Sequence, residues 1–186
     1  MMGTEMEIKK LVDMQKELDK ALIYGRIEPL DYIIESRNVQ YWMCEIKREK
    51  RMKYFKVQEL VSEEIYNKYS ESYILSRFFD NRMLQTLDSI REHFGALTVN
   101  NWSYGGNRTE SGLRVQGMKN YNFTSLHSWG RAFDIVSKKY TAEEMRKEIL
   151  KNQYKFPFIR RMEKDVPWLH IDNYTTNNKY IVLFGA

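Results

Sequence analysis

The apolar residues Ile8, Leu11, Val12, Leu18 and Leu22 return mostly at spacings of three and four, so they share one face of a helix that Gly25 ends. Pro29 stands where a second helix can begin, with Leu30, Ile33, Ile34, Trp42 and Ile46 on its apolar side. Residues 1–52 therefore read as a helical N-terminal extension, a hairpin without recognisable chemistry, suited to packing, oligomerisation or docking. From residue 53 the pattern changes to alternating helices and short strands. Ser62 can cap a short helix through Tyr69, and Asp80 a longer one in which Leu84, Leu87, Ile90 and Phe94 face inward before Gly95. Leu97–Asn100 and Ala132–Val136 read as strands. Between them, residues 101–125 hold Gly105, Gly106, Gly112 and Gly117 among polar residues, the composition of a long loop over a site. Thr141 and Glu144 form a capping box for a helix that buries Met145 and Ile149. Phe158–Met162, Trp168–Asp172 and Tyr180–Phe184 read as an antiparallel meander. The expected fold is α+β: a small antiparallel sheet with helices packed on it over residues 53–186, preceded by the helical extension.

Composition narrows the class. With 186 residues, 42% of them hydrophobic and 14% aromatic, the chain can bury the core of one domain. A mean hydropathy of -0.64 and the lack of a long apolar run speak against a membrane-spanning helix, so no membrane insertion is expected. Met1–Lys10 mixes Glu5 and Glu7 with Ile8 and Lys9 and shows no secretory h-region, which suggests cytoplasmic synthesis without a signal peptide. The lone Cys44, beside Trp42 and Met43, reads as a small buried hydrophobe. A net charge of +5 fits nucleic acid, an anionic wall polymer or neither. The densest basic run, Lys47–Lys53, lacks the interleaved aromatics of single-strand binders. It reads as a solvated helix end, with a polyanion patch as the alternative, and nucleic acid is not the expected partner.

The three histidines carry the question of chemistry. His93, near the end of the Asp80 helix, suits the negative end of the helix dipole and reads as structural. His127 lies seven residues before Asp134, which falls on a predicted strand. His170 lies on another, with Trp168 and Asp172 on its face, so Asp172 can orient the imidazole as a supporting carboxylate. Two neutral imidazoles and a carboxylate suit zinc, with a fourth tetrahedral position left for water. Bound water then has its pKa lowered to about 7. The competing structural account is a buried histidine hydrogen-bonded to a nearby carboxylate.

Ser-x-His-x-x-Gly-x-Ala-x-Asp, present in full at 125–134, resembles the first zinc motif of the D-alanyl-D-alanine carboxypeptidase-like metallopeptidases. That group includes vancomycin-resistance peptidases, bacteriophage endolysins and the Hedgehog signalling domain. Trp168-Leu169-His170-Ile171-Asp172 is similar to the strand bearing the third ligand. Asn100-Asn101-Trp102 and Arg108–Arg114 are similar to the segment that places an arginine over the site, and the whole is most like small phage and prophage members, over about residues 54–184. The resemblance implies that His127, Asp134 and His170 bind zinc, that Arg114 steadies the substrate carbonyl or the oxyanion, and that Ser125 helps hold substrate. Trp168 either lines the substrate cleft or packs at its rim. Several members carry the general base three residues before the last histidine, or a second histidine two before it; here those positions are Pro167 and Trp168, and neither takes a proton. Glu163 and Asp165 are the nearest upstream carboxylates, with Glu163 slightly favoured. The implied activity is zinc-dependent hydrolysis of an amide in peptidoglycan stem peptides, as a D-Ala-D-Ala carboxypeptidase or endopeptidase of endolysin type. Such a protein meets the wall after release or within a phage particle. The alternative is a wall-binding or structural phage protein that keeps the fold without turnover.

Overall fold

The apolar stripe near the N-terminus forms helix α1 (Met2–Ile23), after which Gly25 turns the chain at φ +64°. The structure, a computed structural model of the chain, describes residues 2–28, 31, 35–37, 39 and 52–185. Most of the second arm of the expected hairpin, with Cys44 and Lys47–Arg51, lies outside the described residues.

Local capping explains the helices that follow. Ser62 accepts the Ile65 N–H and opens α2 (Glu63–Lys68), while Ser70 accepts the Tyr73 N–H and opens α3 (Glu71–Arg77). The hydrophobic pattern does not announce α3. Asp80 caps α4 (Asn81–Phe94), which buries Met83, Leu84, Leu87, Ile90 and Phe94 and stops at Gly95, where φ is +82°. The expected capping box opens α5 (Ala142–Lys151), with Met145 and Ile149 buried.

The strands are β1 (Leu97–Thr98), β2 (Ala132–Ser137), β3 (Arg161–Glu163), β4 (Leu169–Asp172) and β5 (Val182–Phe184), in the order β1-β2-β4-β3-β5. The class is α+β, as expected, but the C-terminal meander is not formed. β3 and β4 pair antiparallel, whereas β5 joins the far edge of β3 and runs parallel to it. The reason is edge availability: β4 is already flanked by β2 and β3, so no ladder position is open beside it. Arg160 secures the crossover by donating to the Thr176 and Asn178 carbonyls at 2.8 and 3.0 Å.

Alternation gives the sheet two unlike faces. Phe133, Ile135, Met162, Leu169 and Ile171, all at 0% exposure, join Leu87 and Ile90 of α4 and Met145 and Ile149 of α5 in one core. Each such side chain contributes roughly 1.5–3 kcal/mol by leaving water. The other face carries polar rows set by register: Asp134, His170, Glu163 and Phe184 stand side by side across β2, β4, β3 and β5, and the adjacent row is Ala132, Asp172, Arg161 and Val182.

Candidate metal centre

Two backbone close approaches seat the segment that bears His127. A Cβ on Gly112 would lie 2.0 Å from the Leu60 carbonyl oxygen, and one on Gly130, where φ is +59°, would lie 1.8 Å from that of Phe78. Only glycine fits at either point. Between them runs the short 3-10 turn Leu126–Trp129, capped by Ser125, whose hydroxyl accepts the His127 N–H at 3.4 Å. The Gly112 carbonyl then faces His127 Nδ1 at 2.8 Å. A carbonyl can only accept, so Nδ1 carries a proton and Nε2 is the ring nitrogen turned toward the site.

Strand register delivers the other two groups. His170 and Asp134 are direct partners on β4 and β2. His170 Nε2 donates to Asp172 Oδ2 at 3.3 Å, which turns Nδ1 toward Asp134. Asp172 is fully buried; it also accepts from Arg161 Nε at 3.1 Å, from Arg161 Nη2 at 2.8 Å and from the Tyr174 N–H at 2.9 Å. Arg161 lies between the rings of Tyr174 and Phe184, 4.0 and 4.6 Å from their centroids. Asp134 Oδ2 accepts from Arg114 Nη2 at 2.8 Å, so its Oδ1 is the atom that faces the histidines.

The three converging atoms define a triangle. His127 Nε2 lies 3.4 Å from His170 Nδ1 and 3.3 Å from Asp134 Oδ1, and the latter two are 2.7 Å apart. Ligands about 2.0–2.1 Å from a tetrahedral centre are separated by about 3.4 Å, so two edges already have the span a small divalent ion requires. The third is shorter because a proton between His170 and Asp134 closes it. His127, Asp134 and His170, all buried, can hold a metal ion. Burial pushes the Asp134 carboxyl up, but hydrogen bonds and charge from His127 and His170 outweigh it and hold the group well below the usual carboxylate range. For His170, burial lowers the pKa, while the bonds to Asp134 and Asp172 raise it, with a net rise to about 9. The Asp172 carboxyl is pushed up by burial and brought below its ordinary value by His170 and Arg161.

The remaining candidates separate clearly. Glu163, half-buried, is the register partner of His170 and projects from the same face. Asp165 occupies the turn beyond the end of β3 at φ +62°, with its side chain 81% exposed and paired to Lys164. Arg114 reaches the site, but through the ligand carboxylate. Ser125 caps the His127 turn by accepting the His127 N–H, which leaves its O–H able to donate. Trp168 is half-buried just before β4, with an indole N–H that is buried and unpartnered among the described residues. His93 bridges α4 to α5 through Glu148 at 3.0 Å, a structural role.

Sequence reasoning missed three arginines. Arg161 supports Asp172, Arg108 donates to the Val99 and Asp134 carbonyls at 2.9 and 3.1 Å, and Arg146 reaches the turn before β4. Arg161, two residues from Glu163 on a strand, was the one with a readable signal, since alternation puts both on the ligand face. A cavity of about 470 Å³ lined by Val136, Lys139, Glu143, Arg146 and Pro167 opens at the start of α5 and includes none of the three ligands, so donor chemistry rather than volume marks the site. No family model, no curated protein and no solved structure matches the chain. Among the described residues no helix is long and apolar enough to cross a membrane.

Proposed function

We propose that the protein is a zinc peptidase that hydrolyses an amide bond in peptidoglycan stem peptides. The observation that carries this reading is the single row in which two metal ligands and a carboxylate, Asp134, His170 and Glu163, stand side by side, with His127 closing the ligand set. The donor set, two imidazole nitrogens and one carboxylate, is one that catalytic zinc uses, with a fourth position for water. Zinc, when bound, supplies a Lewis acid and makes water acidic enough to be a nucleophile near pH 7. Glu163 takes the proton of the attacking water and hands it to the leaving amine nitrogen. The guanidinium of Arg114, fixed by the Glu110 carbonyl at 2.7 Å and by Asp134, keeps a positive charge beside the carbonyl oxygen as that atom gains negative charge. The substrate class follows from the motif resemblance at 125–134 and 168–172, with either a terminal D-alanyl bond or a cross-bridge as the target.

A second reading, a wall-binding phage protein without turnover, is favoured by Pro167, which stands where several members of that family carry their base. Digestion of purified muropeptides, read by mass spectrometry beside metal analysis, separates the two. The peptidase is expected to hold one equivalent of zinc and cleave; His127→Ala loses both. Glu163→Gln keeps the zinc and loses about 100-fold or more in rate. Zinc-loaded wild type that cleaves nothing supports the binder, and full activity in Glu163→Gln removes Glu163 from the mechanism.

A further inference from the structure

We propose that Arg146, on α5, is the positioning residue for Glu163, holding the turn that links this base to the ligand His170; the inference rests on the reading of Glu163 given above. Glu163 and His170 are the last register pair of the β3–β4 ladder, and the chain between them reverses through Asp165 at φ +62°. A reversal of this kind turns carbonyls inward, where each needs a donor. Arg146 supplies donors to three of them. Its Nη1 donates to the Glu163 carbonyl at 3.2 Å and to the Trp168 carbonyl at 3.0 Å, and its Nη2 donates to the Val166 carbonyl at 3.2 Å. One nitrogen thus ties both ends of the turn together. Nε donates to Glu143 at 3.0 Å, and the side chain is 6% exposed. The anchor itself is firm, because Met145 and Ile149 on the same helix are sunk in the core.

The Glu163 carboxylate makes no hydrogen bond or ion pair among the described residues. Its location relative to the ligands is therefore set by its own backbone, and that backbone is what Arg146 grips. A displacement of about 1 Å at a reacting group can lower a rate about 100-fold. Arg146 makes no hydrogen bond to His127, Asp134 or His170, so it acts through the turn whose first residue is Glu163.

The test uses the zinc-loaded full chain and Arg146→Lys, whose single ammonium cannot serve three carbonyls in the fork geometry. The expected result is a fall in kcat of about 10- to 100-fold with KM within about twofold and zinc content unchanged. In the Glu163→Gln background the same substitution is expected to cost nothing further, the non-additivity of two residues acting as one unit. Amide hydrogen exchange over residues 164–168 is expected to quicken while β2 stays protected. Additive losses in the double variant, or unchanged kcat beside faster exchange, overturn the positioning role and leave a purely structural one. If the wild type cleaves no muropeptide, the functional reading fails and the base with it. The clamp is then judged by exchange alone, and unaltered exchange in Arg146→Lys overturns it as well.

Discussion

Replacing Asp172 by Asn keeps the shape of the side chain and removes its charge. In the native protein the Asp172 carboxylate accepts from His170 Nε2, from Arg161 and from the Tyr174 N–H at once, with no exposure to water. An amide offers one acceptor oxygen and presents two donors: with the oxygen at the Oδ2 place, toward His170 and Arg161 Nη2, the NH2 meets the Tyr174 N–H, and with the oxygen toward Tyr174 the NH2 meets His170 Nε2. The loss of a buried charged acceptor leaves one donor unpaired, at about 1–3 kcal/mol of folding stability. In the second orientation the histidine loses the acceptor that orients its ring, and in both it loses the negative charge that raises its basicity. Such supporting groups are typically worth about 10- to 100-fold in metal affinity, or roughly 1.4–2.7 kcal/mol. Competitive titration of zinc against a chelating dye, with His127→Ala as the non-binding control, reads this directly. A dissociation constant unchanged within about twofold in a folded Asp172→Asn protein would refute the claim that the Arg161–Asp172–His170 chain prepares the ligand.

The proton shared by His170 and Asp134 sets two further expectations. His170 in the metal-free protein has its pKa raised to about 9. Stability from that protonated pair is therefore full below the unfolded value of about 6.5 and is lost as pH rises through about 9. Asp134, depressed by the same contact, loses its contribution only as pH falls below the ordinary carboxylate range. Thermal melts between about pH 6 and 10 are expected to decline on the alkaline side with chelator and to stay level with zinc, and zinc affinity is expected to climb about tenfold per pH unit between about 7 and 9. Gly130→Ala drives a methyl into the Phe78 carbonyl at a left-handed position, so a loss of at least about 2 kcal/mol in urea denaturation is expected, with weaker zinc binding because the His127 turn must shift. Native-like stability in that variant would show that the contact is not tight.

What was legible along the chain was local. Ser62, Asp80, Gly95 and the Thr141–Glu144 box act within one turn of helix, and each stands where its chemistry requires. The grouping of His127, Asp134 and His170 as residues able to hold a metal ion was legible because their side-chain chemistry and the motif around them are distinctive. Sheet order was not, because it depends on which edge is vacant after β2 and β3 have flanked β4, a fact no window of residues contains. Helix α3 was hidden by its shortness: seven residues with one buried side chain, Ile74, leave no periodic stripe. Arg146 was hidden for a different reason. It reads as an ordinary charged helix residue beside Glu143, and only the folded turn shows the three carbonyls that it serves.

The glycine contacts at Gly112 and Gly130 fasten the ligand-bearing stretch to the helical layer at two points, and the Arg114 N–H returns to the His127 carbonyl just inside the first. Residues 115–121 lie between these fixings, with Val115 and Met118 against the core, the Lys119 and Asn120 N–H groups donating to Glu110, and the remaining positions exposed or half-buried. In the proposed peptidase this stretch can change composition while His127, Asp134 and His170 keep their places. On that reading, variation in what is bound is uncoupled from the metal-holding residues, and engineered exchange of this stretch is the natural route to a new preference.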